Sequence, residues 1–145
     1  MNLSPYLSSE VEAGGGCTNG FFPEVVRYLK SVENGSEEDL ILKENLKTTL
    51  GKIESYLSDD EGEGTRTGPF LVGDGEQISL IDCSLAPKLY HLSVGLTAFK
   101  DDAVDIGQDF PKLKAYMDAI FERDSFKETS YPEEVVVWGW GNARE

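Results

Sequence analysis

Few side chains in this sequence can do chemistry unaided. The thiols are Cys17 and Cys83, and the one imidazole is His91. A cysteine attacks as its thiolate, which a helix N-terminus favours. Cys17, in GGGCTNG, lies just ahead of a helix expected to begin near Phe21. It precedes Pro23 by several residues, and the field of a helix end fades within about one turn. An exposed linker thiol is therefore expected. Cys83 falls within an apolar helical run and is expected to be a small buried hydrophobe. His91 can serve as acid or base. It stands beside leucines, where hydrogen-bonded structure is the ordinary role. A single histidine, with no CxxC or HxxxH spacing, predicts no metal site.

The best-formed motif is in ISLIDCSLAPKLYHL, residues 78–92. Ser79 and Asp82 have the S-x-x-D spacing of a capping box, in which each side chain accepts from the other's backbone N–H. Ala at either position should cost about 1 kcal/mol. Ile78 and Cys83 stand at the two ends of a hydrophobic staple. Ile81, Leu85, Leu89, Leu92 and Leu96 form an apolar ridge, flanked by Ala86 and Val94. Pro87 lacks the N–H that would bond to the Cys83 carbonyl, so a kink is expected there.

Other elements must hold this helix. FFPEVVRYLKSV (21–32) predicts a helix with Pro23 in its first turn and Val25, Val26, Tyr28, Leu29 and Val32 on one face. A longer helix over 37–58 starts from Ser36, with Asp39 completing a capping box, and carries a Leu46, Leu50, Ile53, Leu57 stripe. Residues 58–69 read as a polar loop, and FLVGDGEQ (70–77) as a turn that packs Phe70 and Leu71 on the helices. DFPKLKAYMDAIFERDSF (109–126) predicts one amphipathic helix through Leu113, Tyr116, Met117, Ile120 and Phe121. The tail VVVWGW reads as a short helix or an extended segment. Its Trp138 and Trp140 are docking candidates, although packing on their own bundle is the ordinary role. The class is all-α, with a flexible lead-in over 1–20 and one helical domain over 21–145.

Charge narrows the partners. The 145 residues hold 27 Asp plus Glu against 13 Lys plus Arg, a formal net charge of −14. That balance repels nucleic acid and anionic membrane, and it can steer a basic protein to the surface. Two distant cysteines make no disulfide scaffold and suit a reducing compartment. No apolar run approaches the ~20 residues that span a bilayer, and no secretory signal pattern opens the chain.

A turn, an S-x-x-D box opening a buried helix and a final amphipathic helix beginning F-P together resemble the C-terminal helical domain of glutathione transferases. LIDCSLAPKLYHLSVGLTAFK (80–100), FPKLKAYMDAIFERDSFKET (110–129) and EEVVVWGW (133–140) are most similar to plant and algal dehydroascorbate reductases. FFPEVVRYLKS (21–31) fits as well, so the likeness covers roughly residues 20–140. The chloride intracellular channel family shares the architecture. The resemblance implies a glutathione transferase C-terminal-like helical bundle with a buried, N-capped central helix.

It also implies that the covalent chemistry belongs to a preceding thioredoxin-like domain. There a cysteine thiolate attacks, a mixed disulfide with glutathione forms and ascorbate is released. No βαβ pattern precedes Phe21, so that domain is expected to be absent from this chain. No catalytic residue and no cofactor are then expected here, glutathione entering only with the missing domain. Residues facing the cleft by resemblance are Lys88, Tyr90, His91, Phe126 and Lys127. Lysines usual further along are replaced by Glu128 and Ser130, which weakens a patch for anionic glutathione.

Two functional readings follow. In the first, the chain is a non-catalytic binding or assembly module, a peripheral subunit of a larger complex, plastid by analogy. In the second, it is the helical half of a glutathione-dependent dehydroascorbate reductase. A protein partner, no nucleic acid and no membrane span are expected. A reducing compartment is expected, the chloroplast stroma or the cytoplasm.

Overall fold

The computed structural model describes residues 20–58, 70 and 78–144. All regular structure among them is helical: α1 (Phe21–Lys30), α2 (Glu37–Ser58), α3 (Leu80–Phe99), α4 (Ile106–Asp109), α5 (Pro111–Phe121), α6 (Asp124–Thr129) and α7 (Glu133–Ala143). Cys17, most of the lead-in and the 59–69 loop lie outside the described residues, as do all residues of the 70–77 turn except Phe70. No helix of the described residues is long and apolar enough to cross a membrane.

α3 is the centre. It packs on α1, α5 and α7, while α2 closes the far side against α1 and α5. Its buried side chains Leu85, Ala86, Leu89, Leu92 and Leu96 recur at helical spacing and meet Leu29, Leu50, Leu113 and Ile120 in one core. α1 packs closely over Gly95, where a Cβ would stand 2.6 Å from Leu29 Cδ1, so any other residue there would force the buried Leu29 side chain to shift.

Cys83 corrects the sequence reading. It is exposed. The first turns of α3 are oriented by Asp82, which is fully buried, so Asp82, Leu85, Ala86 and Leu89 face inward. Cys83, Ser84 and Pro87 then fall on the opposite, exposed side. The Cys83 end of the staple therefore faces outward, whereas Ile78 packs against the core. α3 runs unbroken through Pro87. The carbonyl that the proline leaves unbonded lies on the exposed side, where water can serve it.

Three other expectations change. α1 stops at Lys30, because Ser31 turns extended and gives its N–H to the Tyr28 carbonyl. Val32 consequently leaves the apolar face and is 61% exposed. Ser36 does cap α2 through the Asp39 N–H (3.1 Å), but the Asp39 carboxylate accepts from Gly35 N–H (3.0 Å) instead of Ser36. The single helix expected over 109–126 is three pieces. Pro111, at the first position of α5, cannot continue α4. Arg123 is extended, and α6 folds back so that Phe126 stacks on Phe121 at 4.7 Å. The tail is helical, as α7.

Candidate functional site

The box at the start of α3 is complete and buried. Ser79 Oγ accepts from Asp82 N–H (3.3 Å), while Asp82 Oδ2 accepts from both Ser79 N–H and Ser79 Oγ–H (2.8 Å each). Asp82 Oδ1 also accepts from the Tyr116 hydroxyl (2.7 Å), 34 residues away on α5. The box therefore ties the central helix to α5 and does not reach solvent. Sequence reasoning placed Tyr116 in the core by its spacing. Nothing local marked its hydroxyl as a partner of Asp82.

A second buried cluster joins the α1–α2 turn to the end of α3. Lys100 Nζ donates to Asp39 Oδ1 (2.7 Å), the Ser31 carbonyl (2.7 Å) and Asn34 Oδ1 (2.8 Å). All three ammonium donors are used, as a charge that is 2% exposed requires. The ammonium also lies 4.5 Å from the centre of the Tyr28 ring. Burial works against ionisation of Asp39, but the bonds from Lys100 and Gly35 and the Lys100 charge outweigh it and hold the carboxyl below its ordinary value. Burial, and then Asp39, push the Tyr28 phenol up to about 12. Sequence reasoning missed this cluster, whose partners lie 61 to 69 residues apart.

The residues that the resemblance pointed to divide between two places. Tyr90 meets Phe121 and Phe126 edge-on, at 6.1 and 5.7 Å between ring centres. Its hydroxyl donates to the Tyr131 carbonyl (2.8 Å). Burial, then Glu133 and Glu134, raise its pKa. One residue along, His91 Nδ1 accepts from Trp140 Nε1–H (2.8 Å). Burial pushes the imidazole below its ordinary pKa. A neutral ring accepting at Nδ1 carries its proton on Nε2. His91 and Trp140 also help to line an open apolar cavity of about 370 Å³ with Tyr131, Val135, Trp138 and Gly139.

Lys88 and Lys127 do not join either group. Lys88 donates to Ser84 Oγ (3.3 Å) and lies 5.9 Å from the Phe22 ring centre. Lys127 pairs with Glu122 (3.1 Å) on the surface. Among the described residues no group of three or more His, Cys, Asp or Glu side chains is placed to hold a metal.

Comparison with known proteins gives this arrangement its lineage. A family model for "Glutathione S-transferase, C-terminal domain" matches residues 21–119, from the start of α1 into α5. The chain belongs to the glutathione S-transferase C-terminal domain family.

Curated relatives agree with the narrower resemblance. The chain is 36% identical over 119 residues to the chloroplastic glutathione S-transferase DHAR3 of Arabidopsis thaliana, covering 82% of this chain and 40% of that protein. It is 37% identical over 121 residues to glutathione S-transferase DHAR2 of the same plant, covering 82% and 49%. To the probable cytosolic glutathione S-transferase DHAR1 of Oryza sativa subsp. japonica it is 38% identical over 115 residues, covering 78% and 46%. The chain thus spans less than half the length of these relatives. Within the domain the family match ends before α6 and α7, which carry Phe126, Lys127, Trp138 and Trp140.

Proposed function

We propose that this glutathione S-transferase C-terminal domain acts as a protein-binding module and does not itself carry a covalent step. One observation supports this best. The polar site candidates of the described helices are held in internal bonds: Lys88 to Ser84, Tyr90 to Tyr131, His91 to Trp140 and Lys127 to Glu122. The described thiol, Cys83, lies exposed on the outer side of α3. No imidazole stands beside it, since His91 is committed to α7, two helical turns further on. Such a surface offers shape and charge in place of a nucleophile. Membership of a larger assembly, in the plastid or the cytosol, is part of the same proposal; relatives are named chloroplastic and cytosolic, which supports either compartment.

The second reading, the helical half of a glutathione-dependent dehydroascorbate reductase, is favoured by the 36–38% identity to DHAR-named proteins. One assay separates the two. The purified chain, alone and mixed with the thioredoxin-like half of a plant relative, is tested for glutathione-dependent reduction of dehydroascorbate. No turnover in either case is the expected result. Turnover by the chain alone, or on adding the other half, would overturn the binding-module reading.

A further inference from the structure

We propose that the aromatic cavity on the outer side of α7 docks a basic polypeptide segment, seating a Lys or Arg side chain against Trp138 and Tyr131 with apolar side chains alongside. The proposal rests on the binding-module reading and names the chemistry of the partner. The first ground is exposure. Tyr131, just ahead of α7, and Val135 and Trp138, one turn apart on it, are 68%, 48% and 71% exposed around one concavity. Single exposed apolar residues need no explanation, but a stripe framing a cavity marks an interaction site. The fold also discriminates between the two tryptophans: Trp140 is buried against His91, while Trp138 is left out.

The second ground is that the cavity is already built. Its floor is fixed by the Trp140 to His91 bond, and its Tyr131 edge by the Tyr90 hydroxyl. Little ordering is needed on binding, which favours affinity.

The third ground, charge, selects the occupant. Glu133 and Glu134 open α7 near the Tyr90 hydroxyl, at the Tyr131 edge of the cavity. The nearby cations are engaged elsewhere. Lys127 pairs with Glu122, Arg144 donates inward to the Leu29 carbonyl over the Phe99 ring, and Arg123 lies over Phe70. Glu134 stands one helical turn before Trp138 on the same face of α7, and a carboxylate beside an indole face is a combination that attracts an ammonium or guanidinium. A net charge of −14 steers a basic partner in and opposes a second copy of the same chain or an anionic lipid surface. The lining runs from Val135 to Ala143, about 12 Å along α7, longer than a small amine and suited to the spaced anchors of a helical segment.

The test is a titration of the full chain with a synthetic amphipathic peptide bearing a leucine face and a lysine face, followed by tryptophan fluorescence and by the NMR indole N–H signals. The analogue with glutamate for lysine is the control. The basic peptide should bind and shift the Trp138 signal, and the acidic one should not. Trp138→Ala should weaken binding about tenfold without changing the melting temperature, because its side chain is mostly exposed. The double variant Glu133→Gln, Glu134→Gln should weaken binding and reduce its salt dependence. Leu40→Ala, at an apolar site on α2 that is 48% exposed, should leave binding unchanged. Equal affinity of Trp138→Ala, equal binding of the acidic peptide, Trp138-dependent binding to anionic lipid vesicles, or self-association through Trp138 would each overturn the proposal. The reductase assay fails or succeeds separately from these outcomes, so loss of the broader reading and loss of the docking site are distinguishable.

Discussion

Replacing Asp82 by alanine should be far more damaging than replacing its capping partner Ser79. Helix capping alone assigns about 1 kcal/mol to each. The structure separates them. Asp82→Ala removes the acceptor from three buried hydrogen bonds, those donated by Ser79 N–H, Ser79 Oγ–H and the Tyr116 hydroxyl, all at 2.7–2.8 Å. Hydrogen bonds to a charged group contribute about 1.5–3 kcal/mol each, but neighbouring terms do not add, so a loss of about 3–5 kcal/mol is expected. Ser79→Ala removes the 3.3 Å bond to Asp82 N–H and one donor, and about 1 kcal/mol is expected. Tyr116→Phe keeps the packed ring and should cost about 1.5–3 kcal/mol. Urea unfolding followed by circular dichroism gives each value. The cycle of Asp82→Asn with Tyr116→Phe gives their coupling, expected at about 1 kcal/mol or more, should the alanine variant not fold. A loss for Asp82→Ala no larger than that for Ser79→Ala, together with zero coupling to Tyr116, would refute the argument that one carboxylate joins α3 to α5.

Two further outcomes test the other buried groups. Lys100→Met should cost about 3–5 kcal/mol by leaving the Asp39 carboxylate buried without its cation; adding Asp39→Leu should recover much of that loss, as measured by urea unfolding. The folded-state pKa of His91 is depressed, so below about 6.5 the unfolded chain binds the extra proton first; stability should fall as pH drops from there through the folded value, and His91→Phe should flatten that part of a melting-temperature profile.

How much of this was legible in the sequence depends on the distance over which each signal acts. The Ser79 and Asp82 box acts within one helical turn, and its two bonds lie where the spacing put them. The Leu85, Leu89, Leu92, Leu96 ridge and the Leu46, Leu50, Ile53, Leu57 stripe were readable for the same reason, since periodicity is a local property. Pro111 marked a helix start correctly, but the carboxylate that serves the first N–H groups of α5 comes from Glu54 on α2, at 2.9 and 2.7 Å. No spacing in the sequence announces a cap delivered from another helix.

The errors have two causes. Cys83 looked buried because its neighbours are apolar, yet at about 100° per residue it stands about 160° from Leu85, across the helix from the leucine ridge, so its exposure was legible from the same periodicity. The 109–126 segment looked continuous because its apolar residues keep helical period. It breaks because Phe126 gains more by folding back onto Phe121 and Tyr90 than by extending the helix into solvent. The same logic bears on function. Tyr90 and His91 sit side by side on α3 and looked like members of one cleft. The helix turns them about 100° apart, so Tyr90 serves the α6 fold-back and His91 serves α7. Trp138 and Trp140, two residues apart, are separated in the same way, one facing out and one closing the bundle. Residue types therefore identified the chemistry available, but the helix rotation decided which of those side chains were left for a partner.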